Sequence, residues 1–153
     1  MGTVISLHHL EAIEAMIKRR KSGNILAGGE RMIGRSSLDG FDFSRGCFFP
    51  PTVIGDVSTT DELWREEVFG PVVVVKRFSV SHKHNVTCGV FIKCHFLMQS
   101  EKEGIDLAND CKYGLGAGIW TLDVSKAHRV ASEIESGLCW VNTHHRNDPS
   151  SPW

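Results

Sequence analysis

An α/β fold, with a mostly parallel sheet and flanking helices, is the class this sequence predicts, and three features predict it. Val72 to Val75 is a run of four valines without polar alternation, the pattern of a strand covered on both faces. In the C-terminal third, apolar residues at helical spacing alternate with short apolar runs, the order of a sheet built by crossover connections. With 153 residues, 41% hydrophobic, and 15 glycines, the chain holds enough apolar material for the core of one domain.

The first element is a helix over about Ser6 to Arg20, where Leu10, Ile13 and Ile17 share a face and Gly23 ends the run. A short apolar stretch, Asn24 to Ala27, is closed by Gly28 and Gly29. Residues Glu30 to Gly46 are rich in glycine, serine and charge without sustained period, which predicts a surface loop. Phe48 to Ile54 reads as a strand with an irregular entry, because Pro50 and Pro51 cannot donate to a ladder. Val72 to Phe78 is the next strand. Ser100-Glu101-Lys102-Glu103 has the form of a capping box and opens a helix to about Asp110. Gly116 to Thr121 is a strand. Asp123 is placed to cap a helix whose Ala127, Val130, Ala131 and Ile134 form its apolar face, with Gly137 as its stop. Leu138 to Asn142 is the final strand.

Charge and cysteine usage exclude several classes of function. Seventeen Lys and Arg against 18 Asp and Glu leave a net charge of -1, without the basic excess that nucleic-acid binding requires. No apolar stretch approaches the roughly 18 residues of a membrane span. The five cysteines, Cys47, Cys88, Cys94, Cys111 and Cys139, are odd in number and lack a framework-like spacing, and the given sequence shows no secretory n-region or h-region. A soluble protein of the reducing cytoplasm is expected. A myristoylation pattern at Met1 to Ser6 and a glycosylation triplet at Asn85-Val86-Thr87 are short enough to arise by chance.

The segment Glu66-Glu67-Val68-Phe69-Gly70-Pro71 resembles the EEIFGP motif of the aldehyde dehydrogenase superfamily. Three further segments resemble that family in the same order. They are Phe49-Pro50-Pro51-Thr52-Val53, then Leu107-Ala108-Asn109 with Tyr113-Gly114-Leu115, then Gly137 to Asn142, and Ser151-Pro152-Trp153 reaches the start of the family's SPFGG or SPWGG loop. The resemblance implies that residues 1–153 are a partial aldehyde dehydrogenase catalytic domain, from an enzyme that oxidises an aldehyde to a carboxylic acid with NAD or NADP. By the same match Glu67 holds the nicotinamide ribose and Phe69 packs beside the nicotinamide. A carboxylate can accept from both vicinal hydroxyls and so fix the ring, and a flat apolar face keeps water from the hydride path. Without the match, Glu66 and Glu67 read as solvated charges at a helix end and Phe69 as a core anchor. Trp153 falls where the family lines the aldehyde tunnel with an aromatic residue. Tryptophan there resembles the enzymes for betaine aldehyde and aminoaldehydes, and an indole face attracts a quaternary ammonium by cation-π contact; the alternative is a tryptophan that fills a hole at the chain end.

The family's nucleophilic cysteine, in a GQxC context, and its general-base glutamate, in an ELGG context, do not occur in this sequence, so no residue is assigned a catalytic role. Cys139 in an apolar strand and Cys111 at a helix end read as structural, since a reactive thiol needs an exposed, electropositive setting. The chain corresponds to roughly the C-terminal third of the family's usual length. It ends before the expected oligomerising strand, so a family-type homo-oligomer stays open, and the isolated chain is expected to have no dehydrogenase turnover. A noncatalytic interaction or regulatory module that keeps the fold is the alternative.

Residues 80–99 break the order. Without them Phe78-Ser79 would join Ser100-Glu101 at the spacing the family shows. Val80-Ser81 can be written GTAAGT and Gln99 can be written CAG, the borders of an intron, so this insertion is expected to be a translated intron. The competing reading is a zinc site from His82, His84, Cys88, Cys94 and His95, whose spacings match no common finger.

Overall fold

The computed structural model describes residues 2–76, 87–90, 100–147 and 150, with the backbone alone at 87–90. The chain divides into two compact units, Met1–Val75 and Lys76–Trp153.

The first unit opens with helix α1 (Leu7–Lys18), which begins where the Ser6 hydroxyl accepts from the amide of His9. Leu10, Ile13, Met16 and Ile17 recur at helical spacing and are buried, each large apolar side chain contributing about 1.5–3 kcal/mol of transfer free energy. The chain then turns at Gly23, where φ is 87° and an added Cβ would lie 2.6 Å from Val57 Cγ2, a position only glycine fills without strain. Strand β1 (Asn24–Ala27) pairs antiparallel with β2 (Thr52–Gly55), and β2 pairs parallel with β3 (Val72–Val75), with Thr52 opposite Val72 and Gly55 opposite Val75. Helix α2 (Glu62–Arg65) lies between β2 and β3 in the chain and packs on α1. The predicted loop after Gly29 contains one 3-10 turn, Phe43–Arg45, beside which Phe41, Phe43 and Phe48 meet edge to face at 5.5–5.7 Å.

The second unit holds β4 (Thr87–Val90), α3 (Glu101–Asn109), β5 (Gly116–Trp120), α4 (Val124–Glu133) and β6 (Leu138–Val141). β5 is central, antiparallel to β4 and parallel to β6. Its Ala117, Gly118 and Ile119 are buried, and Ile105 of α3, Ile119 and Val130 of α4 form a core flanked by Ala131, Ile134 and Cys139. Both predicted caps form: the Ser100 hydroxyl accepts from Glu103 N at 3.1 Å and the Asp123 carboxylate from Lys126 N at 3.0 Å.

The α/β class holds, with one parallel and one antiparallel strand pair in each three-stranded sheet. Two local expectations fail. The four valines are not covered on both faces: Val74 is buried but Val73 is 44% exposed, because successive side chains of β3 point to opposite faces and, among the described residues, only the Val74 face is covered. Gly137 does not stop α4, whose cap is Ile134 in extended conformation; the Gly137 amide instead donates to Gly114 O at 2.8 Å, at the entry to the β5–β6 pairing.

Candidate functional site

The segment Glu66 to Pro71 connects α2 to β3, and both of its ends are held by neighbouring elements. Upstream, Asp61 caps α2 with Oδ1 accepting from Leu63 N at 3.1 Å. Its Oδ2 accepts from Lys21 N at 2.8 Å and from Ser22 Oγ at 2.9 Å, which joins the turn after α1 to the start of α2. Ser22 Oγ in turn accepts from Ser58 N at 2.8 Å. Asp61 is almost wholly buried. Burial alone would push its carboxyl up, but the Ser22 hydroxyl and the amides of Leu63, Lys21 and Ser22 outweigh it and hold the group below the usual carboxylate value. On the outer side Glu62 receives two hydrogen bonds from Arg19, each 2.6 Å. The helix closes at Glu66, whose amide donates to Glu62 O at 2.8 Å.

Two tight turns follow. Gly70 N donates to Val68 O at 2.6 Å and Val72 N to Gly70 O at 2.8 Å. Pro71 O then accepts from Thr52 N at 2.8 Å, the bond that starts the parallel β2–β3 register. Gly70 faces Ile13 of α1, whose Cδ1 would stand 2.5 Å from an added Cβ. One residue earlier, the Phe69 carbonyl accepts from His9 Nε2, and the two rings lie 6.0 Å apart at 36°.

Within this framework Glu67 is half-buried, and Phe69 is 73% exposed. The expectation of Phe69 as a core anchor therefore fails: its backbone is held while most of its ring faces solvent. A carboxylate and a flat apolar ring two residues apart suit a sugar diol carrying an aromatic base, because one accepts hydroxyl hydrogens and the other covers a ring face.

Trp153 lies outside the described residues. The described part of the segment before it is anchored by Asn142, at φ 53°, whose side-chain amide pairs with both backbone groups of Thr121 at 2.9 Å. Trp140 donates from Nε1 to Arg146 O at 3.0 Å, and the His144 and His145 rings rest against its indole at 5.0 and 5.9 Å. Desolvation, then the neighbouring His145, lowers the His144 pKa.

Neither Cys139 nor Cys111 has the exposed, electropositive setting of an activated nucleophile. Burial raises the Cys139 pKa, and the Cys111 thiol donates to Tyr113 O at 3.1 Å. His82, His84, Cys94 and His95 lie outside the described residues, and of Cys88 only the backbone is described; among the described residues no cluster of three or more metal-ligating side chains forms. Sequence reasoning missed the roles of His9 and Asn142. His9 gives no periodic signal, whereas Asn142 directly after an apolar strand is a residue type that tolerates positive φ.

The aldehyde dehydrogenase family model matches residues 1–86 and 92–153. The chain belongs to the aldehyde dehydrogenase family. It is 36% identical to the chloroplastic betaine aldehyde dehydrogenase of Beta vulgaris and to the peroxisomal aminoaldehyde dehydrogenase 2 of Pisum sativum, over its whole length and 25% of each relative. Among solved structures, HpcC from Thermus thermophilus matches with TM-score 0.78 at 32% identity, over the whole chain and 26% of that protein. A betaine aldehyde dehydrogenase of Staphylococcus aureus, solved in complex with NAD+, matches with TM-score 0.75 at 34% identity, again over the whole chain and 26% of the other. The chain thus spans about a quarter of the length of these relatives. No described helix is long and apolar enough to cross a membrane.

Proposed function

We propose that this chain carries the nicotinamide-ribose contact and part of the substrate surface of an NAD(P)-dependent aldehyde dehydrogenase. The observation that carries the reading is the Glu66 to Pro71 loop, anchored at both ends, with Glu67 half-buried and Phe69 73% exposed. Glu67 accepts from the ribose hydroxyls and Phe69 covers one face of the nicotinamide. The dinucleotide, when bound, supplies the hydride acceptor; the chain's own part is to hold the ribose and keep water off that ring face. The absence of the family's cysteine and glutamate contexts from the sequence supports the further reading that the isolated chain does not turn over aldehyde.

The test is titration of the purified chain with nicotinamide mononucleotide, followed by ligand-observed NMR. Glu67→Gln keeps the size and removes the charge, and is expected to weaken binding about tenfold, the scale of a hydrogen-bonded charge. Equal binding by wild type and Glu67→Gln would refute the assignment. A second arm mixes the chain with betaine aldehyde and NAD+; appearance of NADH at a rate proportional to chain concentration would refute the inactivity.

Trp153 is assigned to the aldehyde entrance, and the substrate class to aldehydes bearing a cationic nitrogen. Support comes from the cation-π chemistry of an indole and from relatives named for betaine aldehyde and aminoaldehydes. Residues 80–99 are assigned to an inserted segment. The family match breaks at 87–91, inside that stretch, and sequencing the spliced messenger tests whether its 60 bases are removed.

A further inference from the structure

We propose that His9 is the positioning residue of the cofactor loop. The proposal rests on the reading of Glu67 and Phe69 as cofactor contacts. Three contacts link α1 to that loop. Ser6 caps α1 by accepting from the His9 amide at 3.1 Å, which fixes the His9 backbone in the first turn. The His9 imidazole then donates from Nε2 to the Phe69 carbonyl, with its ring tilted against the Phe69 ring at 6.0 Å. A carbonyl only accepts, so Nε2 is the donor of this bond. One turn further along α1, Ile13 fits under Gly70. Positions 9 and 13 are four apart and share a helix face, so one face of α1 grips two consecutive loop residues.

This arrangement holds the loop backbone and leaves most of the ring exposed. Phe69 is 73% exposed although its carbonyl is bound, which is the opposite of a phenylalanine that anchors a core through its side chain. The grip is also polar and directional, and it is made between residues 60 positions apart in the chain. Removing it frees the peptide unit between Glu67 and Gly70 to rotate, and the two groups assigned to the cofactor move with it. A displacement of about 1 Å at such a group is enough to lose productive orientation.

The experiment compares wild type, His9→Ala, His9→Phe, His9→Gln and Glu67→Gln by two readouts. The first is amide hydrogen exchange at Glu67 to Gly70, with the amides of Ile13 and Ile17 as the internal control for α1. The second is affinity for nicotinamide mononucleotide. His9→Ala and His9→Phe are expected to speed loop exchange and weaken the nucleotide by about three- to tenfold, the scale of one ordinary hydrogen bond, with α1 protection unchanged. His9→Phe keeps an aromatic ring, so its loss isolates the hydrogen bond; His9→Gln, which restores an N–H donor, is expected to recover most of both readouts. Unchanged loop exchange in His9→Ala overturns the proposal whether or not nucleotide binds. Unchanged affinity in His9→Ala alongside weakened affinity in Glu67→Gln also overturns it. Affinity that ignores Glu67→Gln refutes the cofactor assignment instead, and loop exchange then still decides whether His9 holds the loop.

Discussion

Replacing Asp61 with alanine removes the acceptor that ties the end of α1 to the start of α2, and the structure sets the size of the effect. The carboxylate accepts from Leu63 N, Lys21 N and Ser22 Oγ at 2.8–3.1 Å in a nearly fully buried site. Loss of the cap on α2 costs about 1 kcal/mol. The remaining donors are stranded in or near the interior, at about 1–3 kcal/mol each, with partial relief where water enters. The expected total is about 3–5 kcal/mol, which urea denaturation followed by tryptophan fluorescence reads as a shift in midpoint, since Trp64 lies in the same buried neighbourhood. The pH dependence adds a signature that a simple packing defect lacks. The folded-state pKa of Asp61 is depressed from the ordinary 3.8. Its contribution is therefore complete above that unfolded value and is lost as pH falls through the lower folded value. Wild type should lose stability more steeply than Asp61→Ala in the window from about pH 4 downward. A loss below about 1 kcal/mol, or identical acid limbs for the two proteins, would refute the account of Asp61 as a charged hub.

Three further outcomes follow from local geometry. Ser100→Ala and Asp123→Ala each remove a cap acceptor and should each destabilise by about 0.5–2 kcal/mol in thermal unfolding; substitution by glycine should cost only a few tenths. Gly23→Ala places a Cβ 2.6 Å from Val57 Cγ2 at φ 87° and should cost about 1–3 kcal/mol, measured by the same melts. The half-buried Cys139 thiol, pushed up in pKa by desolvation, should be alkylated by iodoacetamide at pH 8 more slowly than a free cysteine peptide. Equal rates would show that the β6 edge opens readily.

Periodicity and capping chemistry located α1, α3 and α4 because those signals are local, whereas the single turn of α2 is too short to show a period. Leu10, Ile13 and Ile17 mark a buried face at a spacing the backbone itself imposes, and Ser6, Ser100 and Asp123 each satisfy an amide three residues away. The same reasoning failed at Val72 to Val75. Four valines specify a strand, but whether each face is covered depends on which elements sit over the sheet, and Val73 is left 44% exposed. It failed again at Gly137, because a glycine near a helix end serves equally in the turn that enters the next strand.

By itself the sequence determined the α/β class and the positions of most helices and strands, matters of local spacing and residue type, while its resemblance to the aldehyde dehydrogenase family singled out the six-residue segment that carries Glu67 and Phe69. Only the tertiary structure decided that, among the described residues, β1 and β3 border their sheet, that Asp61 reaches the turn after α1 across 40 residues, and that His9 reaches the Phe69 carbonyl across 60 residues. The physical reason is that burial and long-range hydrogen bonds are properties of the space between elements. A one-dimensional pattern records which face of an element is apolar, and the partner that meets this face is chosen when the chain closes on itself.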